Sequence, residues 1–255
     1  MVLEADLAIE LIAPPLALGA LISISHGLLG LEVLKRGVIF LDLAVAHIAS
    51  LGLIIGFLLT NNSSSLVALS LAFIAAVIAC TIFYRIEKFS PNRVEAIIGV
   101  SFILAASSTF ILLADHPHSD EIAKKVLAGE ILFVDWAEVV EQIIITVLVV
   151  SGFVFSLIIK RPIIFYLLFA LTITSSVKAI GVYMVFASLI IPALIGEKTT
   201  RPMTITCAVG FICIFVGVVS GVLLDKPMGP TIVLTYCFVA LIYMLISYIR
   251  KPFAH

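Results

Sequence analysis

The sequence has little charge. Only 12% of its 255 residues are Asp, Glu, Lys or Arg, against 62% hydrophobic residues and a mean hydropathy of +1.28. A soluble domain carries about 25% charged and about 45–50% apolar residues. Charge this sparse cannot coat a globule of this length, which excludes a soluble enzyme. A basic excess is lacking too: 15 Lys and Arg face 16 Asp and Glu, a formal net charge of −1, whereas nucleic-acid binders carry a strongly basic face. Cysteines are few and never form a Cys-x-x-Cys pair. Cys80, Cys207, Cys213 and Cys237 all fall in or beside apolar runs, so zinc-knuckle and redox motifs are unsupported and small buried residues are expected. No G-x-x-x-x-G-K-[ST] phosphate cradle occurs. Gly196-Glu197-Lys198-Thr199-Thr200 has similar letters without the spacing, so energy from ATP would have to come from a separate subunit. The first residues hold Glu4, Asp6 and Glu10 where a signal peptide needs a basic region, and the first apolar run is expected to stay as a membrane helix.

What is abundant is long apolar sequence. Runs of about 20 such residues, enough to cross a hydrocarbon core about 30 Å thick, follow one another along the chain. Charge clusters and Gly/Pro breaks divide it into about nine spans, near 9–33, 38–60, 66–84, 94–114, 139–159, 162–177, 179–196, 203–224 and 230–249. The sixth and seventh also read as a broken pair or one hairpin, which makes eight the alternative. The expected fold is an all-α polytopic transmembrane bundle, one membrane domain over 1–255. Lys35/Arg36, Arg85/Lys88/Arg93, Lys160/Arg161, Lys198/Arg201 and Arg250/Lys251 fall at alternate ends of successive spans and account for 11 of the 15 basic residues. Basic loops stay in the cytoplasm, so the N-terminus is expected outside and the C-terminus inside. The opposite side carries the acidic N-terminus, the turn Asn61-Asn62-Ser63-Ser64-Ser65, the connection 115–138 and Asp225-Lys226-Pro227.

Ionisable residues deep in a span cost about 2.5–3.5 kcal/mol on insertion scales and are functional candidates by default. Asp42 and His47, in FLDLAVAHIASLG (40–52), combine a carboxylate and an imidazole, which suits a borderline divalent ion such as zinc or manganese. Five residues at 100° each set the two side chains about 140° apart on a straight helix. They would meet one ion only on an irregular helix, or else serve successive positions along a path. His26, between Ser25 and Gly27 in ISISHGLLG (22–30), reads as a core histidine bonded across helices, with metal ligation as the alternative. Asp115, His116, His118, Asp120 and Glu121 cluster on the outer side, either as a metal-attracting entrance or as a solvated loop. The stretch 123–136, AKKVLAGEILFVDW, is too short to span and is expected to lie on or dip into the outer surface. Its Glu130 is either a surface residue or a metal contact facing the pathway. Lys178 is expected at an outer turn, its stem snorkelling; the alternative is a fixed positive charge paired with a pathway carboxylate. Pro192 interrupts a span near Ser188, as in the broken helices that line transporter cavities.

Several segments resemble the membrane permeases of zinc and manganese ABC importers, the ABC-3 family. LKRGVIFLDLAVAHIASLG (34–52) is similar to the family's basic pair followed by Ala-His-x-Ala-Ser-Leu-Gly. VEAIIGVSFIL (94–104) resembles the opening of its fourth helix, and AGEILFVDW (128–136) its Gly-x-Ile-Leu segment. VKAIGVYMVFASLIIPALIG (177–196) resembles its glycine-to-Pro-Ala run, and GVLLDKPMGPTIVL (221–234) its last outer turn. The resemblance implies a permease that moves a divalent metal inward as a homodimer, driven by a separate ABC ATPase and supplied by an extracytoplasmic metal-binding protein. It also implies a role for His47. Two departures accompany it. Leu43 stands where the family's aspartate precedes the histidine by four residues, with Asp42 one position earlier. After Arg161 the family's acidic Phe-Asp-x-x-Phe-Ala segment is missing, so ATPase contact would rest on inner loops such as 85–95 or 197–202. A self-sufficient proton-coupled carrier using Asp42, His47 and His26 as a relay is the rival reading, and a membrane assembly factor a third.

Overall fold

Continuous apolar runs offer backbone amides no water to bond with, so each run closes its own hydrogen bonds as a helix. In a computed structural model, residues 2–62, 65–114, 116–117, 119–159 and 161–250 are described. The expectations for Ser63, Ser64, Asp115, His118, Lys160 and Lys251, and for the side chains of Glu4, Asp6 and Arg250, lie outside what is described. Among the described residues there is no β-strand. The helices are α1 (Val2–Arg36), α2 (Leu41–Thr60), α3 (Leu66–Phe89), α4 (Val94–Leu113), α5 (Ser119–Ala128), α6 (Trp136–Ile159), α7 (Pro162–Gly196), α8 (Pro202–Leu224) and α9 (Met228–Arg250). All except the short polar α5 are long and apolar enough to cross a membrane. The chain is a polytopic helical bundle, as its composition implies.

The 35-residue α7 decides the span count. Straight, it would run for about 52 Å. Gly181, at φ 73° and ψ 164°, breaks it. Ser176 and Ser188 would lie about 18 Å apart on a continuous helix. Yet both bond the ring of His26, Ser188 Oγ to Nδ1 at 2.7 Å and Ser176 Oγ to Nε2 at 3.0 Å. One imidazole reaches both only because the two arms fold back on each other. The sixth and seventh spans are therefore the arms of one hairpin with its apex at Gly181.

Contacts sort the helix ends into two sets. At one end, Arg36 of α1 pairs with Glu87 of α3, and Tyr166 near the start of α7 donates to the same carboxylate at 2.8 Å. The second arm of α7 returns to this end, packing Leu189 and Ala193 on Gly30 before Gly196 meets Thr206 of α8. The basic clusters at 35–36, 85–93, 161 and 198–201 thus gather together. At the other end the α7 apex meets the segment after α5: Gly129, at φ 71°, lies so close to Ile180 that a Cβ would fall 2.2 Å from its carbonyl carbon. Gly229 of α9 closes on Ala128 there.

The α2–α3 seam follows from small residues four apart. A Cβ on Gly56 would sit 2.3 Å from the Cα of Ala68, and one on Gly52 2.9 Å from that of Ala72. Ala76 continues the buried stripe of α3. Such small-residue rows let membrane helices approach closely. By contrast α4, α6 and α9 turn large apolar residues outward, among them Leu104, Leu148 and Leu241, the surface a lipid environment requires.

The cysteine expectation needs correction. Cys80 and Cys213 are buried, but Cys207 is half-buried and Cys237 exposed. An apolar thiol at the bundle periphery meets no penalty in lipid, so burial does not select its position.

Candidate metal-translocation site

The first turns of α2 carry the two candidates the sequence singles out. His47 is 8% exposed. Its Nδ1 donates to the Leu43 carbonyl at 2.9 Å, one helical turn back, and its ring stands edge-on to Phe102 of α4, centroids 4.7 Å apart. A backbone bond at Nδ1 fixes the tautomer and leaves the lone pair on Nε2, the form in which imidazole ligates metals. Asp42 is fully buried. Its Oδ1 accepts from the Leu43 amide at 2.8 Å, while Oδ2 has no hydrogen-bond partner among the described residues. The helix is regular through this stretch, so Asp42 and His47 stay on different faces and do not converge.

A cavity of about 440 Å³ opens at the opposite end of the bundle from the basic clusters. Leu53, Ile54 and Phe57 of α2 wall one side; Glu121, Lys125, Glu130, Glu138 and Lys178 supply its charges. Ile54 lies seven residues beyond His47, hence within about 20° of the same face of α2, two turns nearer the cavity. His116 leans on Phe57 with ring centroids 5.3 Å apart, next to the cavity wall. Glu130 lines this cavity and pairs with Lys125. It is exposed, and it lines the cavity. The segment after α5 dips inward, burying Ile131 and Val134.

Lys178 does not snorkel freely. It pairs with Glu138 of α6 at 3.5 Å, and both residues line the large cavity and a smaller one of about 160 Å³ beside it. Glu138 was not singled out by the sequence because it sits at a span boundary, where a carboxylate is unremarkable. Only the α7 hairpin brings Lys178 to it.

His26 is spent on structure. Ser188 Oγ donates to the Val185 carbonyl at 3.0 Å, so it accepts from His26 Nδ1–H, and Nε2 takes the Ser176 hydroxyl proton. Neither nitrogen keeps a lone pair for a metal in this arrangement. Among the described residues no three His, Cys, Asp or Glu side chains gather into a metal-holding group.

Eight membrane-length helices among the described residues, one refolded into a hairpin, with a charged cavity at one end walled in part by α2, are those of a multi-pass inner-membrane permease. The chain belongs to the ABC 3 transport family, which it matches over residues 8–162 and 158–247. It is 26% identical over 253 residues to an uncharacterized membrane protein in the ycf23-apcF intergenic region of Cyanophora paradoxa, covering 90% of this chain and 83% of that one. It is 25% identical over 261 residues to the zinc transport system membrane protein TroC of Treponema pallidum (strain Nichols), covering 89% and 85%. In fold it is similar to PsaBC from Streptococcus pneumoniae in complex with Fab, with a TM-score of 0.73 over 95% of each chain at 17% identity.

Proposed function

We propose that this chain is the permease subunit of an ABC importer that moves a divalent metal ion, zinc or manganese, into the cytoplasm. The observation that carries the reading is His47: a buried imidazole whose Nδ1 is tied to backbone, with Nε2 left as a donor, on the α2 face that leads to the charged cavity. Membership of the ABC 3 transport family and similarity to a zinc transport membrane protein support the cargo class. In this reading the N-terminus faces outside and the C-terminus the cytoplasm, because the basic clusters gather at one end of the bundle. An extracytoplasmic metal-binding protein delivers the ion to the cavity, whose acidic side chains Glu121, Glu130 and Glu138 offset the cation's charge. The ion sheds water and meets His47 Nε2 and oxygen ligands in the apolar interior. A homodimer of permeases and a pair of ATPase subunits complete the assembly, and ATP-driven rearrangement spoils the ligand geometry to release the ion. Asp42 serves a later position on the path, since its face of α2 is not that of His47.

Copurification with a co-expressed ATPase, followed by ATP-dependent uptake of radioactive zinc or manganese into vesicles, tests the class. A stable complex and ATP-dependent uptake are expected. Full uptake by the lone chain would establish the self-sufficient carrier instead.

A further inference from the structure

Asp42 and Glu95 meet at the basic end of the bundle in a way that capping alone does not explain. Glu95 stands in the first turn of α4, and its Oε1 accepts from the Phe40 amide at the start of α2 at 3.2 Å. Asp42 Oδ1 accepts from the Leu43 amide. One oxygen of each carboxylate thus satisfies the amino end of α2, where backbone N–H groups lack helical partners. The other two oxygens, Asp42 Oδ2 and Glu95 Oε2, are both buried and both without a hydrogen-bond partner among the described residues. The two carboxylates thus hold amides only three residues apart at one helix end. Two bare, buried carboxylate oxygens of like charge are costly unless a proton or a cation neutralises them.

We infer that Asp42 and Glu95 form a release station for a divalent cation at the cytoplasmic mouth, separate from His47. It rests on the transport reading and deepens it. Asp42 lies about 7.5 Å along the α2 axis from His47, toward the end where the basic clusters gather. A carboxylate pair with no nitrogen or sulfur donor favours a hard, oxygen-liganded ion of the manganese type, with water completing the shell. An ion leaving the single imidazole of the interior would gain two negative charges here, and would leave again because Glu95 is partly exposed and the station supplies only two protein ligands. Asp42 is fully buried, whereas Glu95 is partly exposed, so Glu95 is the side that opens to water.

The test isolates the station in a background without the imidazole. The full chain carrying His47→Ala, purified in detergent, is titrated with Mn2+ and free Mn2+ is read by electron paramagnetic resonance. It is compared with the same chain carrying in addition Glu95→Gln or Asp42→Asn, each checked for an unchanged elution profile and helical signal. Glu95→Gln keeps the bond to the Phe40 amide and sits partly in water, so it folds even where Asp42→Asn does not. The expected result is Mn2+ binding by the His47→Ala chain, weakened at least about tenfold by either second substitution. No binding by the His47→Ala chain, or binding that Glu95→Gln leaves unchanged, overturns the station. ATP-dependent Mn2+ uptake by the unsubstituted chain with its ATPase is measured alongside. Weakened binding without any such uptake would keep the station and remove the transport reading. Uptake with unweakened binding would do the reverse.

Discussion

At the residue scale, the charge that links the large cavity to the smaller one beside it is Lys178, paired with Glu138. A half-exposed pair such as Lys178–Glu138 contributes about 0–1 kcal/mol to stability, so its conservation of fold is minor and its effect on the cavity's field is the larger consequence. Removing the ammonium leaves Glu121, Glu130 and Glu138 against Lys125 alone among the cavity's charges. Lys178→Met is expected to leave the thermal midpoint nearly unchanged and to raise uptake at limiting metal concentration. A concentration series of initial uptake rates checks this; a large loss of stability with unaltered uptake would make the pair purely structural. His26 behaves oppositely. His26→Ala leaves Ser188 its bond to the Val185 carbonyl but strands the Ser176 hydroxyl in a buried setting, which costs about 1–3 kcal/mol for a group left unsatisfied. It should lower thermal stability, with any fall in uptake matched by a fall in folded protein.

At the scale of elements, the α7 hairpin organises the bundle. Gly181 adopts a conformation essentially closed to side chains, and its apex leaves no room: a Cβ there would lie 2.3 Å from the Gly129 amide nitrogen. Gly181→Ala and Gly129→Ala are both expected to reduce the yield of folded protein sharply, by strain of about 1–3 kcal/mol plus the clash. Detergent-resistant elution on gel filtration reports this; two variants as stable as the parent would contradict the close apex. The elements also differ in how far the sequence discloses them. Apolar length alone defines α2, α3, α4, α6, α8 and α9, because a helix in lipid is fixed by hydropathy and breaks. The 35-residue α7 resists that reading, since Gly181 is one glycine among 15 and its backbone angles are set by packing against Gly129. The same limit governs the site. His47 is legible as a polar residue deep in a span, but the Phe40–Glu95 and Glu138–Lys178 contacts join residues 55 and 40 positions apart, and no local pattern marks them.

At the scale of the molecule, the chain enters α7 directly after Arg161, as the missing acidic segment implies. The exposed surface at the basic end then includes the 3-10 turn Pro91–Arg93 and the connection around Lys198 and Arg201. Behind it, the Arg36 guanidinium bonds Glu32, pairs with Glu87 and stacks on Phe165 at 4.5 Å. This ties α1, α3 and α7 to one point. Arg93→Glu reverses an exposed charge without touching that cluster, and is expected to weaken copurification with the ATPase while leaving folding intact.

The most direct measurement of the account is metal uptake by His47→Ala in cells or vesicles, with surface abundance quantified in parallel. Normal abundance with uptake reduced by about tenfold or more is predicted, as for the loss of a ligand. Uptake equal to that of the unsubstituted chain at equal abundance would show that no ion passes this imidazole.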